Sequence, residues 1–184
     1  RINDMPSFMG VVESNENVIK DDMIFGECDK CGLLQNMNLL DPEVVYMNNH
    51  NTEVVGDTWK NHYIELCEFI KKNSKGDIVL EIGDPSAKLA KPLSMNYEKW
   101  IIIEPNTELE NFDNVEIIKG FFEGEKPTDD KVTTIVHSHV FEHIYDPIKF
   151  LKDCNNILTE GDVTIFSIPN IKWLLENNAL PTGV

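Results

Sequence analysis

The sequence predicts an α/β fold, an open and mostly parallel doubly wound sheet that follows a small amino-terminal module. Three observations predict it: the chain has five short runs rich in Ile and Val, a helical pattern separates the fourth run from the fifth, and the first 50 residues lack sustained periodicity. Strands that are apolar on both faces are typical of parallel sheets covered by helices on either side. The expected architecture is therefore an open, doubly wound sheet.

A small module is predicted over residues 1–50, where several Gly and Asn residues and isolated apolar pairs indicate irregular or β-rich structure. Cys28 and Cys31 are separated by two residues, which is the spacing of metal ligands. Structural zinc takes four ligands, so this pair predicts half of a zinc-binding site. Either the other two ligands precede the chain, or the metal is absent, or the pair is the remnant of a lost site. Cys67 and Cys154 lie on the apolar faces of predicted helices, which favours core thiols.

The main domain is predicted over residues 51–184. From Thr52 to about Asn73, apolar and aromatic side chains recur at steps of three and four, which predicts a helix. The members of this stripe are Val55, Trp59, His62, Tyr63, Leu66, Phe69 and Ile70. Five apolar runs follow and predict strands over residues 78–82, 100–104, 115–118, 132–137 and 163–168.

A second helix is predicted between the last two strands. Asp146 can cap this helix and Pro147 can begin it. Its apolar stripe consists of Phe150, Leu151, Cys154 and Leu158. Strand, helix and strand in this order predict a right-handed crossover between parallel neighbours.

The composition disfavours several classes of partner. Asp and Glu number 32 against 16 Lys and Arg, and the resulting formal charge of −16 repels phosphate, so neither nucleic acid nor an anionic membrane is an expected partner. No apolar run is long enough to span a bilayer, and the first residues lack a signal-peptide core. A cytoplasmic protein is therefore expected. The sequence does not determine the oligomeric state.

The turns that follow the strands form the candidate site, because doubly wound sheets bind ligands beyond the carboxyl ends of their strands. Glu81 places a carboxylate at the end of the first strand, and Gly83, next to Asp84, either lets the backbone approach a ligand or makes a tight turn. Glu104 follows Gly83 by just over 20 residues. A carboxylate there suits both hydroxyls of a ribose, since it only accepts hydrogen bonds.

Two further turns carry aromatic or ionisable side chains. Phe121 and Phe122 follow the third strand, where they either pack against an adenine or belong to the core. His139, Glu142 and His143 follow the fourth strand and spell H-x-x-E-H, an inverted zinc-peptidase pattern. That chemistry needs both histidines on one face of a helix and a third ligand. His139 directly follows a predicted strand, which disfavours a peptidase.

Four stretches, taken in their order along the chain, resemble a known family. They are Cys28-Asp29-Lys30-Cys31-Gly32-Leu33-Leu34-Gln35, Val79-Leu80-Glu81-Ile82-Gly83, Ser138-His139-Val140-Phe141-Glu142-His143-Ile144-Tyr145-Asp146-Pro147 and Ser167-Ile168-Pro169-Asn170. The order resembles that of class I S-adenosylmethionine-dependent methyltransferases, which are Rossmann-like proteins. Within this class it is most similar to the zinc-containing sugar C-methyltransferases, which act on nucleotide-linked sugars.

The resemblance implies a cleft for S-adenosylmethionine and a role in carbohydrate biosynthesis, with a sugar nucleotide as the substrate. In that cleft Gly83 lies near the methionine part of the cofactor, in the same turn as Glu81 and Asp84, and Glu104 binds the ribose. Phe121 and Phe122 are implied near the adenine, and His139 beside the methyl end. The candidates for a base that removes a proton from the acceptor are His139, His143, Tyr46 and His62.

The chain departs from this family in one turn and in its length. Where the family has two or three glycines, Asp84-Pro85-Ser86-Ala87 follows Gly83, and a proline removes an amide donor. The family's sixth and seventh strands have no counterpart before Val184, so the main domain is expected to be incomplete. The first hypothesis is a methyltransferase for a nucleotide-linked sugar. The alternatives are a non-catalytic binding or scaffold domain and a methyltransferase for another small molecule.

Overall fold

The computed structural model describes residues 1–6, 18–41, 56–170, 173, 176 and 177. The chain divides into two compact units, residues 1–52 with 174–184 and residues 53–173. The boundary predicted after residue 50 stays a prediction, because residues 42–55 lie outside the described part. Within the described ranges, no helix has the length and apolar character that a membrane crossing requires.

The first unit contains two antiparallel pairs of short strands. β1 (Ile2–Pro6) pairs with β2 (Lys20–Met23), and β3 (Phe25–Glu27) pairs with β4 (Leu34–Asn36). The turn between β3 and β4 carries the two cysteines with metal-ligand spacing. These strands agree with the β-rich structure that the sequence predicts for this region.

The second unit is built on a five-stranded sheet in the order β7-β6-β5-β8-β9, in which every described pair of strands is parallel. The strands are β5 (Ile78–Ile82), β6 (Lys99–Ile103), β7 (Val115–Ile118), β8 (Thr134–Ser138) and β9 (Val163–Ser167). Their ends differ from the predicted ends by at most two residues. The first strand of the sheet lies at its centre, as in doubly wound folds, which confirms the predicted architecture.

Helices cover both faces of this sheet. The described helices of the second unit include α1 (Asp57–Asn73), α2 (Ala90–Leu93) and α3 (Pro147–Ile157). Every residue of β5 is buried. Val79 belongs to a core that includes residues of α1, and Leu80 belongs to a second core that includes residues of α3. Because successive side chains of a strand point to opposite faces, a continuous apolar run requires a cover on each face.

The second predicted helix begins as expected. Asp146 accepts a hydrogen bond from the backbone N–H of Lys149 at 2.9 Å, and Pro147 is the first helical residue. This cap satisfies one of the N–H groups that a helix leaves free at its start.

Among the described members of each predicted helical stripe, one is wrong, and Val55 of the first stripe lies outside the described residues. Phe69 is 57% exposed although Ile70 is buried, and Leu151 is 43% exposed although Phe150 is buried. Neighbouring helical residues point about 100° apart, so a residue next to a buried one can face solvent. Cys67 in α1 and Cys154 in α3 are buried, which confirms the prediction that both are core thiols.

Candidate functional site

The register of the sheet brings the carboxyl ends of three strands together. Ile82 of β5 pairs with Ile103 of β6 on one side and with His137 of β8 on the other. Glu104 follows directly after β6, and Ser138 ends β8. The turns that carry the predicted cofactor residues therefore start from the same edge of the sheet.

At this edge, Gly83 lies in close contact with the segment of the chain that follows β8. Its φ is +81°, and its N–H donates a hydrogen bond to the carbonyl of Ile103 at 3.0 Å. A Cβ at this position would lie 2.4 Å from Cγ2 of Val140. Only glycine therefore fits both the backbone conformation and the contact with the segment that follows β8.

The carboxylate of Asp84 binds the backbone of its own turn. Oδ1 accepts the N–H of Ser86 at 3.0 Å, and Oδ2 accepts the N–H groups of Lys88 at 2.5 Å and Leu89 at 3.3 Å. Backbone N–H groups gathered in one turn form a seat for an anion. In this chain the carboxylate of Asp84 already accepts those hydrogen bonds.

Glu81 is almost fully buried beneath the turn, with 1% of its surface exposed. Trp100 donates its indole N–H to Oε2 at 2.7 Å, and Oε1 has no hydrogen-bond partner. Burial raises the pKa of Glu81 well above its ordinary value, and the nearby charge of Asp84 raises it further. Its burial thus favours the neutral form of the Glu81 carboxyl group.

Glu104 lies at the edge with 7% of its surface exposed. Its Oε1 accepts the N–H of Asn106 at 2.7 Å. Burial raises the pKa of Glu104, the hydrogen bond from Asn106 opposes this, and the charge of Asp84 adds to the rise. Asp84 is therefore close enough to influence both Glu81 and Glu104, and the three predicted acids share one electrostatic environment.

The structure separates the two phenylalanines that follow β7. Phe122 packs against the second core, and its ring centre lies 5.6 Å from that of Phe150. Phe121 is 53% exposed. Of the two interpretations in the sequence, Phe122 fits a core residue, and the contact of Phe121 with an adenine stays a prediction.

His139 is held in an uncommon conformation next to a second histidine. Its φ is +54°, and its N–H donates to the carbonyl of Ser167 at 3.0 Å. The ring lies 4.8 Å from Trp59 and 5.2 Å from His62 between centroids. Its Nδ1 is 3.3 Å from Oε1 of Glu142, which can fix the orientation of the ring.

His62, on α1, meets the ends of two strands through serine hydroxyls. Its Nε2 lies 3.3 Å from Oγ of Ser138 and 3.4 Å from Oγ of Ser167, and the two hydroxyls are 2.8 Å apart. Burial lowers the pKa of His62, and the nearby His139 lowers it further, while Glu65 opposes both. The neutral imidazole is thus favoured near pH 7.

Tyr63 lies close enough to Ser138, Asp84 and Glu81 for these groups to influence its pKa. The pKa of Tyr63 is raised to about 12, first by burial and then by the charges of Asp84 and Glu81, and hydrogen bonding with Ser138 opposes this rise. Sequence reasoning missed both serines and Tyr63. The available signal was the position of Ser138 and Ser167 at the ends of two parallel strands.

Two other predicted sites have different outcomes. Tyr46 lies outside the described residues. Phe141–His143 forms one 3₁₀ turn, and His143 Nε2 is 4.0 Å from Oε1 of Glu142. Across the described parts of the chain, no group of three or more His, Cys, Asp and Glu side chains could hold a metal ion. The H-x-x-E-H pattern is therefore not arranged as a metal centre.

The turn that carries Cys28 and Cys31 has the hydrogen bonds of a compact loop. Cys28 donates its N–H to the carbonyl of Leu33 at 2.9 Å, and Gly32 donates to the carbonyl of Cys28 at 2.8 Å. Hydrogen bonds from the backbone of Lys30 and Cys31 and from the Cys31 side chain lower the pKa of Cys28. A lower pKa favours the thiolate, the form that binds metal. Among the described residues these two thiols have no further metal ligands beside them.

Comparison with known proteins identifies one family. The model of a methyltransferase domain matches residues 59–181. No curated protein matches the chain.

Two solved structures are similar to part of the chain. One belongs to the complex between the Haloferax volcanii Trm112 methyltransferase activator and a protein described as a methyltransferase; it is 17% identical with a TM-score of 0.47, and the match covers 58% of this chain and 52% of that one. The other, described as a methyltransferase from an antibiotic biosynthesis pathway of Anabaena variabilis, is 15% identical with a TM-score of 0.46, over 56% of this chain and 44% of that one. The chain spans about half the length of these structures.

Proposed function

Because the chain belongs to the methyltransferase-domain family, we propose that it transfers a methyl group from S-adenosylmethionine to a small molecule. The observation that carries the proposal is the buried carboxylate of Glu104 at the carboxyl edge of the sheet, within the electrostatic reach of Asp84. Open α/β sheets bind nucleotide ligands at this edge, where the chain turns into helices.

The residues present fit the nucleoside half of this cofactor. The N–H of Asn106 orients Glu104 by binding one carboxylate oxygen. Since a carboxylate only accepts hydrogen bonds, Glu104 suits the two hydroxyls of a ribose. Phe121 offers an exposed ring for the adenine, and the turn of Gly83 would adjoin the methionine part.

When bound, S-adenosylmethionine supplies an electrophilic methyl group: the acceptor's electron pair forms a bond to the methyl carbon while the carbon–sulfur bond breaks and its pair goes to sulfur. The contribution of the protein is mainly alignment. Holding two reacting groups in the right geometry can supply about 7–11 kcal/mol of the barrier. A base is needed only where the acceptor must lose a proton.

We assign the role of base to the pair of His62 and His139. The two rings lie 5.2 Å apart between centroids, and both belong to segments at the carboxyl edge of the sheet. A base must be unprotonated before it acts, and the lowered pKa of His62 keeps it so at neutral pH. His143 and Tyr46 remain the less supported candidates from the sequence.

A nucleotide-linked sugar is the narrower proposal for the substrate, and it rests on the order of the four sequence stretches. For a sugar carbon, the base would remove a proton next to a carbonyl group. Incubation of the chain with a panel of nucleotide sugars and the methyl donor, followed by mass spectrometry, tests this class. A gain of one methyl group on a nucleotide sugar supports it, and methylation of unrelated small molecules alone contradicts it. A cytoplasmic setting remains part of this proposal.

Zinc is proposed only as the metal that Cys28 and Cys31 would help to hold. Two thiolates at this spacing fit half of a four-ligand site, and the lowered pKa of Cys28 suits a metal ligand. Elemental analysis of the purified chain tests it, with Cys28→Ser as the variant and Cys67→Ser, a buried core thiol, as the matched control. Metal lost only from Cys28→Ser supports the proposal, and no metal in any of them contradicts it.

Calorimetric titration with S-adenosylhomocysteine tests the main proposal. Glu104→Gln keeps the shape of the side chain and removes the charge that would hold the ribose hydroxyls. Hydrogen bonds to a charged group contribute about 1.5–3 kcal/mol, so the affinity should fall by about tenfold or more. Glu108→Gln is the control, because Glu108 is exposed and lies four residues away. Equal affinity of both variants would contradict the role of Glu104.

One observation favours a non-catalytic binding domain as the second candidate. Three amides of the turn after β5 are already bound by Asp84, so these three are not available to a ligand. If the folded chain binds no adenosyl compound at all, this second candidate replaces the first.

A further inference from the structure

The turn after β5 contains its own anion. Three backbone N–H groups, those of Ser86, Lys88 and Leu89, point to the carboxylate of Asp84. Pro85 lies in the same turn and has no N–H to donate. Backbone amides gathered in a turn usually provide the seat for a ligand's anionic group. Here those three amides are not free for a ligand.

The surroundings of Asp84 are also negative. The negative charge of Asp84 raises the pKa of Glu81, Glu104 and Tyr63. Lys88 is the cation of this turn, and its Nζ lies over the ring of Tyr63, 5.4 Å from the ring centre. The negative charge of Asp84 would repel a second carboxylate near the turn. The three N–H groups that Asp84 binds would not be available to that carboxylate.

These contacts bear on how the proposed cofactor binds. We propose that Asp84 takes the place of the ligand's carboxylate, so that the site favours adenosyl ligands whose side chain ends in a neutral or cationic group over those that end in an amino acid. The inference rests on the proposed function. Glu104 then recognises the nucleoside end of the ligand, and Asp84 discriminates between the groups at the end of the ligand's side chain. Asp84 thereby becomes a specificity-determining residue.

Titration of the wild-type chain with two matched ligands tests the inference. S-Adenosylhomocysteine carries both an ammonium and a carboxylate group, and its decarboxylated analogue, S-adenosyl-3-thiopropylamine, carries the ammonium alone. We expect the analogue to bind at least as tightly as S-adenosylhomocysteine. Because this comparison uses the wild type, any contribution of Lys88 to the binding of a carboxylate is included in it.

Asp84→Asn then tests the cause. Asparagine keeps one oxygen that can accept backbone N–H groups and removes the negative charge. From the strength of charge interactions near a protein surface, we expect the affinity for S-adenosylhomocysteine to rise by about tenfold and that for the analogue to fall. Asp77→Asn is the matched control, because Asp77 is exposed and precedes the opposite end of β5. Thermal unfolding of each variant verifies that the turn remains folded.

The outcomes separate this inference from the proposed function. Tighter binding of S-adenosylhomocysteine than of the analogue by the wild type overturns the role of Asp84 and leaves the proposed function standing. An Asp84→Asn variant that changes both affinities in the same direction also overturns it. Failure of the folded wild type to bind either ligand or adenosine contradicts the proposed function, and the inference fails with it.

Discussion

Two regions at the carboxyl edge of the sheet form their hydrogen bonds in different ways. The turn region, residues 81–89, is acidic and closed: Asp84 binds three amides of its own turn, and Glu81 is almost fully buried. The histidine region, which comprises His62, the segment 137–139 and Ser167, joins the imidazole of His62 to serine hydroxyls from separate elements. The turn region is therefore a local structure, whereas the histidine region depends on how α1, β8 and β9 assemble.

The contact between Gly83 of the turn region and Val140, the residue that follows the segment 137–139, joins the two regions, and breaking it should have the largest effect on stability. Gly83→Ala combines a φ of +81° with a Cβ placed 2.4 Å from Val140. We expect a loss of about 2–4 kcal/mol in the free energy of unfolding. Gly161→Ala is the control: its φ is +94°, but nothing lies within 4 Å of the added Cβ. Urea denaturation that gives equal losses for both variants would show that the contact is unimportant.

The pH dependence of stability should reveal the histidine region through His137. This residue is 1% exposed, its ring stacks on Phe166 at 5.0 Å between centroids, and burial lowers its pKa from 6.5 to about 4. A folded-state pKa below the unfolded one means that its contribution is complete above pH 6.5 and is lost as the pH falls to 4. We expect the wild type to lose up to about 3 kcal/mol over this range.

His137→Phe should retain most of that stability at low pH, because it removes the group that must be charged on unfolding. Denaturation midpoints measured at several pH values test this. His143→Gln, at a half-buried position, is the control and should keep the wild-type loss. If His137→Phe is as acid-sensitive as the wild type, another group is responsible.

Glu81 should give a slope of the opposite sign in the turn region. Its folded-state pKa is raised well above 4.5, so the folded chain holds a proton that the unfolded chain has released. Stability should therefore fall as the pH rises from 4.5 toward the folded-state value. Glu81→Gln should flatten this fall while keeping an acceptor for the indole N–H of Trp100. An unchanged slope in the variant would show that Glu81 is already ionised in the folded chain.

Replacement of one serine in each region should give the smallest difference in stability between the regions. Ser167 shares its hydroxyl with Ser138 at 2.8 Å, whereas the hydroxyl of Ser86 in the turn region is buried without a partner. Ser167→Ala should cost about 1 kcal/mol of stability. Ser86→Ala should be neutral or slightly stabilising, because it removes an unpaired buried hydroxyl. Thermal unfolding of both variants measures the difference, and a larger loss for Ser86→Ala would reverse the assignment.

Most of the fold could be predicted because its signals are local. The run Ile78–Ile82 predicted a buried strand, and Asp146 with Pro147 predicted the start of α3, from a few adjacent residues each. The candidate site was predicted only in part. Glu81 and Glu104 were placed at strand ends, but nothing in the sequence indicated that His62 would meet Ser167, which lies 105 residues away.

The amino-acid sequence by itself determined the order of strands and helices and the burial of both sheet faces, because side-chain periodicity and apolar content are properties of short segments. Tertiary structure decided which side chains share the edge of the sheet. It set Val140 against Gly83, Phe122 in the core with Phe121 exposed, and two strand-end serines beside His62. The physical reason is that these contacts depend on strand register and helix packing between distant segments, which no local pattern encodes.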